Sequence, residues 1–245
     1  MWHEVPITVN GYAYPVRYTD GAHDEVFLPL LEALGRTHAA GEGRTIAFLA
    51  GAPAAGKSTF ALLLERFAPE AGLEIQAVGL DGFHHYNSYL RSHEALRDGR
   101  PVSLASIKGA PESFDVGRFG GKLSELRAGG TVFWPLYDRT IHDPREDAVR
   151  IGAPIVLVEG NYLLLDEEPW AGLAQFCDYS VYLQADEEQV RERAVSRKAR
   201  GGLSRAEAEA HYERSDGPNI RRVLTRSRAA DFTVRLMPDG DLRRT

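Results

Sequence analysis

The chain has 245 residues, 43% of them hydrophobic and 26% charged, which is typical of a soluble globular protein with one large α/β domain or two small ones. The formal net charge of −6 gives no broad attraction to nucleic acid, so we expect no nucleic-acid partner. No apolar run approaches the ~18 residues that a membrane helix needs, and a signal peptide is not recognisable, so we expect a cytoplasmic protein without membrane attachment.

The first predicted elements are a hairpin and a helix. Asn10-Gly11 is a strong turn signal and predicts a hairpin between strands 5–9 and 12–17. Asp20 is expected to cap a helix that ends near residue 40. We can assign no chemistry to this segment, and we expect it to pack over an edge of the main sheet.

The strongest motif follows a predicted buried strand, Thr45–Ala50, and opens a predicted helix. It matches the pattern G-x-x-x-x-G-K-[ST] in full, over Gly51-Ala52-Pro53-Ala54-Ala55-Gly56-Lys57-Ser58-Thr59. In such a loop, backbone N–H groups and a helix N-terminus direct partial positive charge at one point, which holds a polyphosphate. We expect Lys57 to reach the β- and γ-phosphates of a bound nucleotide, and Ser58 to offer its hydroxyl to Mg²⁺.

A second predicted strand, Glu74–Gly79, leads into a polar run that contains Asp81, His84 and Tyr86. Asp81 is the candidate general base, because a kinase needs a carboxylate that orients the acceptor hydroxyl and takes its proton. Asp-Gly is also a turn signal, so the alternative role for Asp81 is to cap a turn. His84 and Tyr86 are candidate contacts for an acceptor.

The next stretch is harder to assign. Residues 86–114 are polar and weakly periodic, and we expect short helices and loops over an active site. Asp115 is expected to cap a helix to about residue 127. A strand at Thr131–Trp134 then precedes the run Pro135-Leu136-Tyr137-Asp138-Arg139-Thr140-Ile141-His142, whose aromatic, acidic, basic and imidazole groups can bind hydroxyls or a carboxylate of a small acceptor.

Pro154–Gly160 is the most apolar predicted strand and is therefore expected at the centre of the sheet. Its Glu159 has the form of a Walker B carboxylate, which can hold Mg²⁺ directly or through water. A carboxylate that only faces solvent is the alternative. The remaining predicted elements are two strands and three helices, at Tyr179–Leu183, Phe232–Leu236, Ala185–Arg200, Ser204–Arg214 and Gly217–Arg228.

The first of these helices has Arg193, Arg197 and Arg200 on one face, since they are three or four residues apart. A mobile arginine face can close over a phosphoryl group in transfer and neutralise its charge. The alternative is a solvated helix surface, in which the arginines pair with glutamates of the same helix.

Strands separated by helices predict an α/β fold with a mostly parallel sheet. Ligands of such sheets bind at the carboxyl ends of the strands. Because the phosphate loop, Asp81, Glu159 and the run Pro135–His142 each follow a predicted strand, we expect them to form one site.

Taken together, these runs resemble the phosphoribulokinase/uridine kinase family of P-loop kinases, which includes bacterial pantothenate kinase, over about residues 44–236. The form Pro-x-Tyr-Asp-x-x-x-His is similar to the run that contacts the nucleoside in uridine kinases. The runs 108–115, 159–165 and 216–219 look most like a bacterial subgroup labelled nucleoside kinase-like or fructose-transport-associated kinase.

The resemblance implies a P-loop NTPase kinase fold with a five-stranded, mostly parallel core and helices on both faces. It implies a kinase domain at 43–245 behind an N-terminal hairpin and helix at 1–42, with an acceptor-binding insertion at about 82–118 and an arginine lid at about 186–214. It also implies ATP and Mg²⁺ as cofactors, and a small-molecule acceptor whose hydroxyl takes the γ-phosphate. Many relatives form dimers, which makes a homodimer one expectation, but no motif of this chain identifies its oligomeric state.

By motif position, the resemblance makes Asp81 the base. It places Lys57, Arg193 and Arg197 on the phosphates, and Ser58 and Glu159 near the metal. The candidate acceptor contacts are His84, Tyr86, Tyr137, Arg139, His142 and Asn161.

One departure bears on the acceptor. Uridine kinases usually carry an aromatic residue after Tyr-Asp, where this chain has Arg139. Arginine suits a carboxylate or a phosphate better than a neutral base, which leaves sugars, sugar phosphates and pantothenate-like acids open. The main alternative to a kinase is a nucleotide-binding regulator or NTP hydrolase without an acceptor, although the sequence has no Asn-Lys-x-Asp run of the GTPase type.

Overall fold

Twelve strands are found in the computed structural model, which describes residues 1–9, 12–97 and 99–245. In chain order they are β1 (Trp2–Val9), β2 (Tyr12–Thr19), β3 (Thr45–Gly51), β4 (Ile75–Gly79), β5 (Glu94–Arg97), β6 (Arg100–Ser103), β7 (Val132–Asp138), β8 (Asp143–Ile151), β9 (Ile155–Gly160), β10 (Tyr179–Gln184), β11 (Phe232–Leu236) and β12 (Leu242–Arg244).

Helices surround the strands, and two of them contain a π-helical stretch. The bounds are 20–40 (Asp20–Ala22, π-helical His23–Phe27, Leu28–Ala40), Lys57–Phe67, Asn87–Ser92, Val116–Ala128, Glu187–Arg200 and 205–226 (Arg205–His211, π-helical Tyr212–Asp216, Gly217–Arg226). Short 3-10 segments lie at Ala68–Ala71, Leu80–Phe83, Leu104–Ile107, Pro111–Ser113 and Ala171–Phe176. In the described part of the chain, no helix is long and apolar enough to cross a membrane.

The central sheet has the order β12-β11-β10-β3-β9-β4. All neighbours are parallel except β12, which pairs antiparallel with β11 at one edge. Every residue of β3 is buried, as expected for a strand that carries apolar side chains on both faces. The predicted five-stranded parallel core is confirmed, and β12 adds a sixth strand that the sequence reasoning missed.

The predicted strand at Thr131–Trp134 is not part of this sheet. It belongs to β7, which continues to Asp138 and pairs antiparallel with β8 in a separate two-stranded sheet. We expected the run Pro135–His142 to follow a strand of the main sheet, and that expectation is wrong. The polar sequence of β8 lacks the apolar alternation that identifies a strand. This hairpin still reaches the main sheet, because the Trp134 Nε1–H donates to the Gly79 carbonyl over 2.9 Å.

The N-terminal hairpin is longer than predicted, and its register pairs Val5 with Val16. The predicted turn at Asn10-Gly11 lies outside the described residues. The following helix is capped by Thr19 rather than by Asp20, since the Ala22 N–H donates to the Thr19 hydroxyl over 2.9 Å. A further hairpin, formed by β5 and β6, lies in the stretch where we expected only helices and loops.

Two glycines allow a close approach that fixes the segment Leu80–Phe83. A Cβ at Gly82 would lie 2.2 Å from the Pro135 carbonyl oxygen, and a Cβ at Gly160 would lie 2.6 Å from the Leu80 Cβ. Both distances are far below a van der Waals contact, so no side chain fits at either position. The segment that carries Asp81 is thereby held between β9 and β7.

We expect Gly82→Ala to lower the free energy of unfolding by about 1–3 kcal/mol, because the new methyl group must displace backbone atoms of β7. Gly121→Ala is the matched control. Gly121 is an exposed residue inside the helix Val116–Ala128, nothing lies within 4 Å of the position that its Cβ would take, and alanine there should add about 0.5–1 kcal/mol. Urea denaturation measures both, and equal midpoints for the two variants would contradict this packing.

Candidate active site

The phosphate loop joins β3 to the helix Lys57–Phe67, as the motif predicts. Gly56 has a φ of 105°, a region that residues with a side chain rarely adopt. A Cβ at Gly51 would lie 2.5 Å from the Leu183 carbonyl oxygen on β10. The loop therefore turns tightly against the sheet and ends at a helix N-terminus, where partial positive charge favours an anion.

Lys57 is buried beside this loop, with 6% of its surface exposed. Its ammonium group donates to the Ala52 carbonyl over 3.0 Å and to the Asn161 Oδ1 over 2.6 Å. Burial lowers the pKa of Lys57 to about 8, although the charge of Glu159 opposes the shift. Both hydrogen-bond partners are neutral, so the site retains positive charge that a phosphate can neutralise. We predicted Asn161 as a contact for the acceptor, and in the structure its side chain accepts a hydrogen bond from Lys57 instead.

Ser58 and Glu159 form a pair of oxygen donors next to Lys57. The Ser58 hydroxyl donates to the Glu159 Oε1 over 2.7 Å. Burial raises the pKa of Glu159, while the Lys57 charge opposes the increase. A hydroxyl and a carboxylate are the ligands that Mg²⁺ takes from P-loop proteins, together with phosphate oxygens and water. The pair therefore fits a Mg²⁺ ion that binds with a nucleotide.

Asp81 lies in the 3-10 segment that follows β4, and its side chain is half-exposed. Its Oδ2 is 3.6 Å from the Arg139 Nη2. The N-cap position of that segment is Gly79, which has no side chain, and Asp81 lies inside the segment as its second residue. A cleft of about 910 Å³ is lined by Asp81, Ser58 and Glu159 together. The predicted acid and the predicted metal ligands therefore face one space.

His84 is buried next to Asp81 and packs between two aromatic rings. Its ring centroid is 3.9 Å from that of Phe114 and 5.2 Å from that of Tyr137. Its Nδ1 lies 2.8 Å from the Asp81 carbonyl oxygen, which can only accept, so Nδ1 carries the proton. Burial lowers the pKa of His84, so the ring is neutral at pH 7 and its Nε2 has a lone pair for a hydroxyl group.

Other predicted acceptor contacts are already engaged in the structure. The Tyr137 hydroxyl donates to the His142 carbonyl over 2.9 Å, so His142 participates through its backbone while its ring is at the surface. The Tyr86 hydroxyl donates to the Glu146 Oε1 over 2.7 Å. The first bond lies within the hairpin of β7 and β8, and the second joins β8 to the segment that follows Asp81.

Lys108 is a residue of this region that the sequence reasoning did not identify. Its ammonium group donates to the Asn87 Oδ1 over 2.6 Å and to the His142 carbonyl over 2.8 Å, and it lies 5.1 Å from the Tyr137 ring centroid. The signal was present, since Lys108 opens a run that we used only for the family resemblance. Arg118 likewise donates to the Gly82 carbonyl over 2.6 Å.

The arginine helix turns part of its charged face to the phosphate loop. The Arg193 Nη1 donates to the Ala55 carbonyl over 3.3 Å, and the charge of Arg197 lowers the pKa of Lys57. The sequence left open that these arginines pair with glutamates of their own helix. Two of those glutamates instead pair with arginines of the following helix. Glu187 pairs with Arg221 at 3.1 Å, and Glu192 pairs with Arg205 at 2.9 Å.

The sequence profile of the Phosphoribulokinase / Uridine kinase family matches residues 46–242. The chain belongs to this family. Membership identifies a P-loop enzyme of the kinase type, in a family that uses ATP and Mg²⁺ to phosphorylate small molecules. The predicted family and fold are thereby confirmed.

Three proteins illustrate the similarity. Uncharacterized protein YggC of Escherichia coli (strain K12) is 43% identical over 241 residues, which is 97% of each chain. A protein of Schizosaccharomyces pombe, provisionally named a uridine kinase, is 30% identical over 80% of this chain and 81% of its own. A crystal structure from Silicibacter sp. TM1040, provisionally named a fructose transport system kinase, is 30% identical with a TM-score of 0.78 and covers 85% of this chain and 98% of that one.

From the lowered pKa of Lys57, we expect the affinity of this family member for ATP to depend on pH. Bound phosphate should raise that pKa again, so above pH 8 binding must take up a proton and the affinity should fall as the pH rises. We expect a loss of about tenfold between pH 7.5 and 9.5. Isothermal titration calorimetry in buffers of different ionisation enthalpy measures both effects. Lys57→Arg is the control, because its charge persists and the pH dependence should disappear; the same slope in both proteins would contradict the assignment.

Proposed function

We propose that this protein transfers the γ-phosphate of ATP to a hydroxyl group of a small molecule that binds in the cleft beside Asp81. The observation that carries the proposal is the shared lining of that cleft by Asp81, Ser58 and Glu159. A carboxylate and a phosphate-binding loop on one space are what in-line phosphoryl transfer to a hydroxyl needs. The chemistry then consists mainly of positioning and charge neutralisation.

On the nucleotide side, the phosphate loop and Lys57 bind the polyphosphate, and Ser58 and Glu159 hold Mg²⁺. Bound Mg·ATP supplies the phosphoryl group and a cation that neutralises its charge. Arg193 lies next to the loop through its bond to the Ala55 carbonyl, and Arg197 adds positive charge near Lys57. We assign both arginines to the closing face that excludes water during transfer.

On the acceptor side, Asp81 orients the hydroxyl and accepts its proton, while the Nε2 of neutral His84 accepts a hydrogen bond from a second hydroxyl of the acceptor. Deprotonation by Asp81 leaves an alkoxide-like oxygen that attacks the phosphorus atom as the bond to ADP breaks. The hydroxyl proton ends on the Asp81 carboxylate. This assignment is supported by the hydrogen bond from the His84 ring to the Asp81 backbone, which holds the two residues side by side.

Two arginines support an acceptor that carries a carboxylate or a phosphate, although Asp81, Asp138 and Glu159 also line the cleft. Arg139 and Arg145 both line the cleft and are exposed. Arg139 forms an ion pair with Asp81 at 3.6 Å. The Thr140 N–H donates to the Asp138 carboxylate over 2.8 Å and lowers its pKa, and Arg145 lies close enough for its charge to lower that pKa further. Both guanidinium groups remain exposed, and an exposed guanidinium group suits an anionic hydroxy compound better than a neutral nucleoside.

We expect Asp81→Asn to lower kcat by at least about a hundredfold, because the amide cannot accept the hydroxyl proton, while the affinity for ATP changes little. Asp138→Asn removes another carboxylate of the same cleft and should retain most of the activity. Coupled ADP-release kinetics with a panel of sugars, sugar phosphates, nucleosides and pantothenate measure the turnover. Unchanged kcat for Asp81→Asn, or ATP consumption that no acceptor stimulates, would contradict the proposal.

Matched acceptors test the anionic preference. Fructose 6-phosphate against fructose, glycerate against glycerol, and pantothenate against panthenol differ mainly in one anionic group. We expect kcat/KM to favour the anionic member of the pair that is turned over, and Arg139→Gln to reduce that preference by about tenfold. Arg36→Gln, on an exposed helix surface, is the control and should change nothing. An equal preference in wild type and Arg139→Gln would contradict the role of Arg139.

A further inference from the structure

The N-terminal hairpin of β1 and β2 precedes the residues that the family profile covers, and its sequence suggested no chemistry. It is nevertheless firmly attached to the kinase core. Ile7 and Val16 are buried in the main hydrophobic core, and β1 packs against the helix Lys57–Phe67. At its base, the Thr19 hydroxyl donates to the Asp241 Oδ1 over 2.7 Å, which ties the hairpin to the C-terminal segment.

Two contacts give the direction in which the hairpin runs. Near its base, the Tyr18 ring centroid is 5.1 Å from that of Phe67, the last residue of the phosphate-loop helix. Farther along, Thr8 lines the cleft together with Ser58 and Ala61, which belong to the first turns of the same helix. The hairpin therefore extends from the C-terminal end of that helix to its phosphate-binding end.

The lengths of the two elements agree with this placement. His3 pairs with Tyr18, and five residues of extended strand from His3 to Thr8 span about 17 Å at ~3.4 Å per residue. The 11 residues of the helix span about 16 Å at ~1.5 Å per residue. Thr8 thus reaches the level of Ser58 without any change in the described structure.

We infer that the N-terminal hairpin forms one wall of the acceptor site and that Thr8 helps to select the acceptor. This inference rests on the proposed function. Thr8 is exposed, and Arg139 and Thr140 of the second hairpin line the same cleft. A threonine hydroxyl donates and accepts hydrogen bonds, so Thr8 can bind a hydroxyl of the acceptor. An acceptor would lie between two hairpins, only one of which lies within the matched family segment.

The test places a bulky side chain at two positions of β1. Thr8→Trp projects into the cleft, whereas Glu4→Trp is four residues nearer the base, about 14 Å away at ~3.4 Å per residue, and projects from the same side of the strand. Kinetics use the panel compound that the wild type phosphorylates, and MgATP affinity is measured separately by calorimetry. We expect Thr8→Trp to raise the acceptor KM at least about tenfold and to leave MgATP affinity within about twofold. Glu4→Trp should change neither.

The outcomes distinguish a failure of the hairpin inference from a failure of the proposed function. Wild type that phosphorylates no acceptor overturns the proposed function and this inference together. Turnover with equal acceptor KM for Thr8→Trp and Glu4→Trp, or weakening of MgATP as large as that of the acceptor, overturns the hairpin inference alone. Thr8→Ala decides the matter if the tryptophan variant does not fold, since it removes the hydroxyl from an exposed site. An Ala variant with wild-type KM for every panel compound also overturns the inference.

Discussion

The buried ammonium group of Lys57 is the constraint on which the active site depends. It is held by the Ala52 carbonyl and the Asn161 amide oxygen, so its nearest partners bring no negative charge. A buried cation without an ionic hydrogen-bond partner costs free energy, and the lowered pKa of Lys57 expresses this cost. A bound polyphosphate would compensate the buried charge and remove this cost, so the site favours polyphosphate binding.

The order of strands in the central sheet places Asp81 near Lys57. β9 lies between β3, which leads to the phosphate loop, and β4, which leads to Asp81. All three are parallel, so their carboxyl ends meet at one edge of the sheet. Gly82 and Gly160 then allow the Asp81 segment to pack directly against its neighbours. The position of Asp81 relative to the phosphate loop is thus set by the parallel strands and by the packing of the segment Leu80–Phe83.

Much of this arrangement could be predicted from local sequence. The phosphate loop and Asp81 each follow a strand of the central sheet and Glu159 lies at the end of one, and that pattern predicts their positions. The partner of Lys57 could not be predicted, because Asn161 reaches it across 104 positions of chain. The same holds for Arg145 on the polar strand β8, and for Thr8, whose place depends on how a separate hairpin packs along a helix. Such contacts depend on tertiary packing, which periodicity does not describe.

In the proposed reaction, the phosphoryl group goes to a small molecule and not to water. The most direct measurement incubates the protein with [γ-³²P]ATP, Mg²⁺ and the small-molecule fraction of a bacterial extract, followed by chromatographic separation of the labelled products. We predict a labelled compound distinct from inorganic phosphate, formed by wild type and absent with Lys57→Ala. Label that appears only as inorganic phosphate, at equal rates with and without the extract, would contradict the account.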